Sequence, residues 1–208
     1  TDPGSYVMGV TGRVGGSSAP YFDINFGNGW YRITATSTAN GTGNAQFNID
    51  FANDTGSTNY TGDGTSGYIL WGGQVEESST ATDYIPTGDT KSGAPRFDHD
   101  PVTGESLGLL IEEERTNLVR YSQAFSGSYW IKGPGVTATD NTTTAPDGTN
   151  TASTFQYSGA NQYLEVSTAI TNNSACSLSI YVKGTAGETI RLSAANAGAQ
   201  NYTLTGGW

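Results

Sequence analysis

The most constraining feature of this chain is a set of short runs that alternate apolar and polar residues, each closed off by Gly, Asn, Asp or Ser. The stretch QFNIDF (46–51) is the cleanest: Phe47, Ile49 and Phe51 take one parity, Gln46, Asn48 and Asp50 the other. A period of two suits a strand with one face buried, and it cannot give a helix one continuous apolar face. The same pattern recurs in YFDINF (21–26), GWYRITATST (29–38), STFQYS (153–158), QYLEVS (162–167), SLSIYVK (177–183), TIRLSA (189–194) and NYTLT (201–205). YWIK (129–132) and VTAT (136–139) are shorter examples. GYILWGGQVEE (67–77) is more apolar, and its Gly72-Gly73 pair predicts a bulge or a close backbone contact. Only Leu109 to Leu118 hints at a helical turn. The reading is an all-β protein built of antiparallel β-sandwich sheets.

Composition agrees. Gly supplies 29 of 208 residues, and Ser, Thr and Asn are abundant, which favours turns over helices. The net charge is −10 and no Lys/Arg cluster occurs, so the chain lacks the basic face that a nucleic-acid partner requires. No apolar run reaches the length of a membrane span, so no membrane insertion is expected. Cys176, the single cysteine, shares parity with Leu178, Ile180 and Val182 and reads as a core thiol.

One segment breaks the pattern. FDHDPVTGESLGLLIEEERTNL (97–118) holds six acids in a chain of which only 13% is charged. Pro101 and Gly104 suit a tight turn, so RFD and LGLLIE can pair as a hairpin, with Glu112, Glu113, Glu114 and Arg115 on a solvated or ion-paired edge. Asp98, Asp100 and Glu105 are weak candidates for a structural Ca²⁺, being hard oxygen donors around a turn. No DxDxDG loop accompanies them, so the expectation is no cofactor and no tight metal. Catalysis lacks its parts as well. No ExDxE strand motif supplies the paired carboxylates of a glycan hydrolase, and His99, the only histidine, reads as a surface residue in a turn.

A weak internal repeat is present. FDINFGNGW ends at Trp30 and YTLTGGW ends at Trp208, and upstream of them GSYVMGV (4–10) and GETIRLS (187–193) hold similar places.

GNGWYRITAT, YTGDGTSGYILWGGQVEESSTATDYIPT and GAPRFDHDPVTGESLGLLIEEERTNLVRYSQAF together resemble segments of bacteriophage tail and tail-fibre proteins. Those proteins carry tandem jelly-roll modules similar to carbohydrate-binding modules, within the concanavalin-like group. The resemblance is strongest over residues 29–38 and 60–125. It implies that 1–88 is the C-terminal part of one module, 89–118 an acidic hairpin joint, and 119–208 the N-terminal part of a second. In related jelly rolls an acidic pair in the last strand holds calcium; the matching position here carries Trp71-Gly72-Gly73-Gln74.

The resemblance implies a non-enzymatic structural and adhesion role in a virion appendage, with other copies or neighbouring virion proteins as partners and host-surface glycan as a ligand. A secreted bacterial carbohydrate-binding or adhesin module at the cell surface is the alternative, and a glycan-degrading enzyme a more distant one. Sugar rings stack on exposed aromatics, which makes Trp30, Tyr68, Trp71, Trp130 and Tyr163 the contact candidates. Half a sandwich would leave one apolar sheet face wet, so each half needs a partner. Because 4–30 and 187–208 would compete for one strand position, completion between chains is narrowly expected over closure within the chain.

Overall fold

The computed structural model describes residues 25–39, 43–53, 56–88, 97–99, 105–109, 115–171, 173–194 and 199–204. Four strands precede the acidic segment: β1 (Asn25–Gly27), β2 (Trp30–Thr38), β3 (Gly43–Ala52) and β4 (Gly62–Glu76). Within it lie β5 (Phe97–His99) and β6 (Ser106–Leu109). After it come β7 (Ile131–Lys132), β8 (Val136–Thr143), β9 (Ala152–Gly159) and β10 (Tyr163–Ile170). The last are β11 (Ala175–Lys183), β12 (Thr189–Ala194) and β13 (Gln200–Thr203). No helix occurs among the described residues.

The strands form a six-stranded sheet, β1-β2-β11-β4-β9-β8, packed on a five-stranded sheet, β13-β12-β3-β10-β7. Every pairing in both is antiparallel. Alternation places Phe47, Ile49 and Phe51 of β3 inward, where they are buried with Tyr31, Ile33 and Ala35 of β2 and Cys176, Leu178, Ile180 and Val182 of β11. Each large apolar side chain so buried contributes about 1.5–3 kcal/mol. Cys176 is an unpaired core thiol, as its parity predicts.

The two halves of the chain interleave. In the six-stranded sheet, β11 stands between β2 and β4; in the other, β3 stands between β12 and β10. Among the described residues, the strands of the two halves therefore complete each other's sheets within the chain. The anticipated strand competition turns on residues that lie largely outside the described ones. The described end of the first segment is β1, at the edge of one sheet, whereas β12 and β13 stand in the other. Residues 4–24 and 205–208 lie outside the described residues.

The glycine pair does what its position predicts. Trp71 pairs with Tyr181 and Gln74 with Ser179, so two residues on β4 face one on β11. That extra residue resets the parity. Tyr68 and Leu70 point into the core before the bulge, Val75 points into it afterwards, and Gln74 and Glu76 turn to the outer face. Gly72 adopts φ +65, and a Cβ on Gly73 would stand 2.9 Å from the Trp130 ring.

Beyond the bulge, the free edge of β4 is taken by 117–122. The Gly73 N–H donates to Ser122 O at 2.9 Å and the Leu118 N–H to Val75 O at 2.7 Å. The end of the YIPT stretch closes on the same segment: Thr87 Oγ1 donates to Val119 O, and the Tyr121 N–H to Gly88 O. The joint thus begins and ends at one clamp. Between these points, β5 and β6 pair as the expected hairpin, with Phe97 opposite Leu109 and Asp98 opposite Gly108. The anticipated helical turn falls largely on 110–114, outside the described residues.

The outer face of the six-stranded sheet is covered over β2, β11 and the end of β4. Arg32 of β2 donates to Thr82 O and to Ser179 Oγ, and its guanidinium lies 5.4 Å from the Tyr181 ring centroid. Glu76 accepts from Gln74 Nε2 at 2.7 Å, from the Thr82 N–H at 2.9 Å and from Thr82 Oγ1 at 2.6 Å. The Ile85 N–H donates to Gln74 Oε1. These bonds fasten residues 82–85 over the sheet and satisfy the buried Gln74 and Glu76 side chains.

Candidate functional site

The outer face of the five-stranded sheet is an open polar surface. Its residues are the outward parity of strands whose inward partners fill the core. Strand register builds a row across four strands. Asn201 of β13 lies opposite Arg191 of β12, Arg191 opposite Asp50 of β3, and Asp50 opposite Tyr163 of β10. The neighbouring row carries Ser193, Asn48, Glu165 and Ile131. Gln46 Nε2 donates to Glu165 Oε1 at 3.1 Å, linking β3 to β10 on the same face.

The row has a charged centre. Arg191 Nε stands 3.4 Å from Asp50 Oδ2, an ion pair without hydrogen-bond alignment. Partial burial pushes the Asp50 carboxyl above its ordinary range, and the Arg191 charge only partly draws it back. Tyr163 is half-buried beside this pair, and Ile131 is the most exposed large apolar side chain on the face, at 47%. A tyrosine and an apolar ledge, flanked by amides, carboxylates and a guanidinium, suit a ligand with both apolar and hydroxylated faces.

A concavity lies at one end of the sandwich, where β3 ends, β4 begins and the β11–β12 turn passes. It is open to solvent and has a volume of about 460 Å³. Tyr60, Asp63, Tyr157 and Glu188 bring the chemistry to it. Beneath it, Phe51, Tyr157 and Tyr68 lie nearly parallel, with Phe51–Tyr157 centroids 4.8 Å apart.

Four of the five aromatic candidates are buried rather than exposed. Trp30, Tyr68, Trp71 and Trp130 are each no more than 3% exposed and offer no ring face to a ligand. Tyr68 and Trp130 point inward; the Tyr68 hydroxyl donates to Thr189 O, and Trp130 Nε1 to Tyr121 O. Trp30 and Trp71 form a separate cluster with Ala145, Ala152 and Tyr181, sealed in part by Tyr84. Trp71 Nε1 donates to Thr151 Oγ1 at 2.9 Å. Tyr163 alone stands on an open face.

Of the weak metal candidates, Glu105 is exposed, while the Asp98 side chain and Asp100 lie outside the described residues. No group of three His, Cys, Asp or Glu side chains placed to hold a metal ion occurs among the described residues.

Sequence reasoning did not single out Asp50, Arg191, Tyr60, Tyr157 or Glu188. The outward parity of Asp50 and Arg191 was available as a signal, but their pairing across β3 and β12 was not.

Set against protein-family models, curated proteins and solved structures, the chain matches none.

Proposed function

We propose that this chain is a non-enzymatic structural and adhesion module of a phage tail fibre or similar appendage, and that the outer face of its five-stranded sheet binds host-surface glycan. The row Asn201–Arg191–Asp50–Tyr163 carries the reading. A solvated surface patch has no need of a partly desolvated carboxylate, and perturbed carboxyls gather where ligands bind. Its position along several strands suits an extended chain of sugar units better than a single small molecule. The non-enzymatic part is supported by the partner of Asp50, which is a guanidinium rather than a second carboxylate across a gap. The motifs that resemble tail-fibre segments support the assignment to an appendage.

The test is a glycan array probed with the intact chain and with Tyr163→Ala and Arg191→Ala variants of unchanged melting temperature. Binding of at least one glycan that both variants lose is expected. An array on which the intact chain binds nothing sinks the adhesion reading. Electron microscopy of the native appendage, labelled with antibody to the chain, checks the structural part.

A further inference from the structure

We infer that the corner formed by Arg120, Tyr121 and Tyr129 is a second binding site, one that takes the carboxylate-bearing ring of an acidic sugar. The corner shares no residue with the row Asn201–Arg191–Asp50–Tyr163, so the two sites stand or fall separately.

Tyr121 stands where the backbone asks for another residue. Its φ of 52° lies in the left-handed region, and the other four described non-glycine residues with positive φ are all asparagines: Asn28, Asn141, Asn161 and Asn173. Asn tolerates that conformation, whereas a bulky side chain is strained in it. The turn is held by groups that need no tyrosine ring. The Tyr121 N–H donates to Gly88 O at 2.7 Å, and Tyr121 O accepts the Ala124 N–H and the Trp130 Nε1–H. The core does not need the ring either, because Tyr121 is 37% exposed. Backbone strain kept for the sake of an exposed aromatic side chain marks a ligand contact.

A second tyrosine and a cation complete the corner. The Tyr129 ring centroid lies 5.7 Å from that of Tyr121, with the planes at 65°, and the ring stands edge to face on Trp130. Its hydroxyl accepts the Arg120 N–H at 3.1 Å, which fixes it in place. The Arg120 guanidinium lies 4.8 Å from the Tyr129 ring centroid. That guanidinium has no hydrogen-bond or ion-pair partner among the described residues. The chain holds 19 Asp and Glu against 9 Lys and Arg, so carboxylates are plentiful and this cation is nonetheless left without one.

The chemistry of the corner selects its ligand. A guanidinium presents a fork of donors that matches a carboxylate with two parallel bonds. One guanidinium balances one carboxylate, whereas a phosphate monoester carries nearly two charges and calls for more than one cation. The tyrosine rings beside it offer apolar area to the C–H face of a sugar and hydroxyls to its rim. The net charge of −10 does not forbid an acidic ligand, because distant charges are screened beyond roughly 8 Å at physiological ionic strength, while Arg120 acts in contact.

The experiment is a titration of the isotopically labelled chain by two-dimensional NMR at near-neutral pH. The probes are tetragalacturonate and a hyaluronan tetrasaccharide, the methyl ester of each, and hexaglutamate. At least one acidic sugar is expected to shift the amides of 120–131, with its ester at least roughly tenfold weaker. Arg120→Gln should bring the acid down to the level of its ester. Tyr121→Asn should lose binding of both while melting no lower than the parent, since Asn suits the backbone there. Equal binding of acid and ester, or a preference that survives in Arg120→Gln, overturns the carboxylate. Tighter binding of hexaglutamate overturns the sugar. A Tyr121→Asn variant that binds like the parent, or that melts more than about 4 °C lower, assigns the ring to packing and overturns its role as a contact. Shifts confined to β3, β10 and β12, or none at all, overturn the site.

Discussion

Asn117 Oδ1 accepts the backbone N–H of Val75 at 3.1 Å, across 42 residues of sequence. The same oxygen accepts the Val119 N–H, and Nδ2 donates to Gly73 O and to Ile85 O, both at 3.0 Å. One fully buried carboxamide thus stands in for strand pairing at the point where β4, residues 85–88 and 117–122 meet. Asn117→Ala leaves two N–H groups and two carbonyls short of partners, each costing about 1–3 kcal/mol. A loss of at least about 3 kcal/mol in urea unfolding is expected. Asn117→Asp should not restore it, because a carboxylate has no donor for the two carbonyls. A variant within about 1 kcal/mol of the parent would show that the clamp is dispensable.

The bulge gives a steric prediction. A methyl group on Gly73 meets the Trp130 ring at 2.9 Å, and that ring is hemmed in by Phe125 and Tyr129. Gly73→Ala should cost about 1–3 kcal/mol and change the near-ultraviolet dichroism of Trp130. Gly88→Ala, where a Cβ meets nothing within 4 Å, serves as the control.

Acid sensitivity follows from two aspartates of opposite sign. Burial acts to raise the Asp140 carboxyl, but bonds from the Ser126 and Ser153 hydroxyls and the Phe125 and Ser126 amides outweigh it and hold it below the ordinary value. Its contribution to stability is therefore present above the unfolded-state pKa and lost as pH falls through the folded one. Asp50, raised mainly by burial, behaves in reverse: its contribution is full below the unfolded pKa and lost as pH rises through the folded one. Asp140→Asn should flatten the acid limb of melting temperature against pH. Asp50→Asn should instead steepen the loss of stability toward low pH relative to neutral. Identical profiles for both variants would contradict the assigned signs.

Cys176 offers a probe of opening. Its thiol is wholly buried, lies 3.4 Å from Ser37 Oγ and is pushed up by that burial. An aromatic disulfide reagent should leave the native chain unmodified and react at the rate of unfolding once urea is added. Fast modification without denaturant would mean that the β2–β11 pair opens locally.

Much of the secondary structure was legible because alternation is a local property. QFNIDF declares its buried face in six residues, and the core bears this out at Phe47, Ile49 and Phe51. The Gly72-Gly73 bulge was legible for a related reason: Leu70 and Val75 cannot face the same way on an uninterrupted strand. Partner choice was not legible, since nothing in the pattern of β2 says that β11 will lie beside it. The tryptophans misled for the same reason. Trp71 has outward parity, but its face is closed by Tyr84 from a stretch that carries no periodicity. Asn117, just after a charged run, was not singled out, because a carboxamide in sequence does not announce four backbone partners.

The interleaving of the halves also fixes when the protein can begin to fold. Ile33 of β2 waits for Ile180 of β11, and Phe51 of β3 waits for Ile190 of β12. Both partners follow about 140–150 residues later, which at roughly 5–20 residues per second is on the order of ten seconds of synthesis. Throughout that interval the ribosome holds a nascent chain whose first apolar strands have neither neighbours nor a facing sheet. The waiting strands are therefore open to trigger factors, holdases and the same strands on adjacent ribosomes. Yield in the cell should depend on what occupies them during that time, whatever the stability of the finished sandwich.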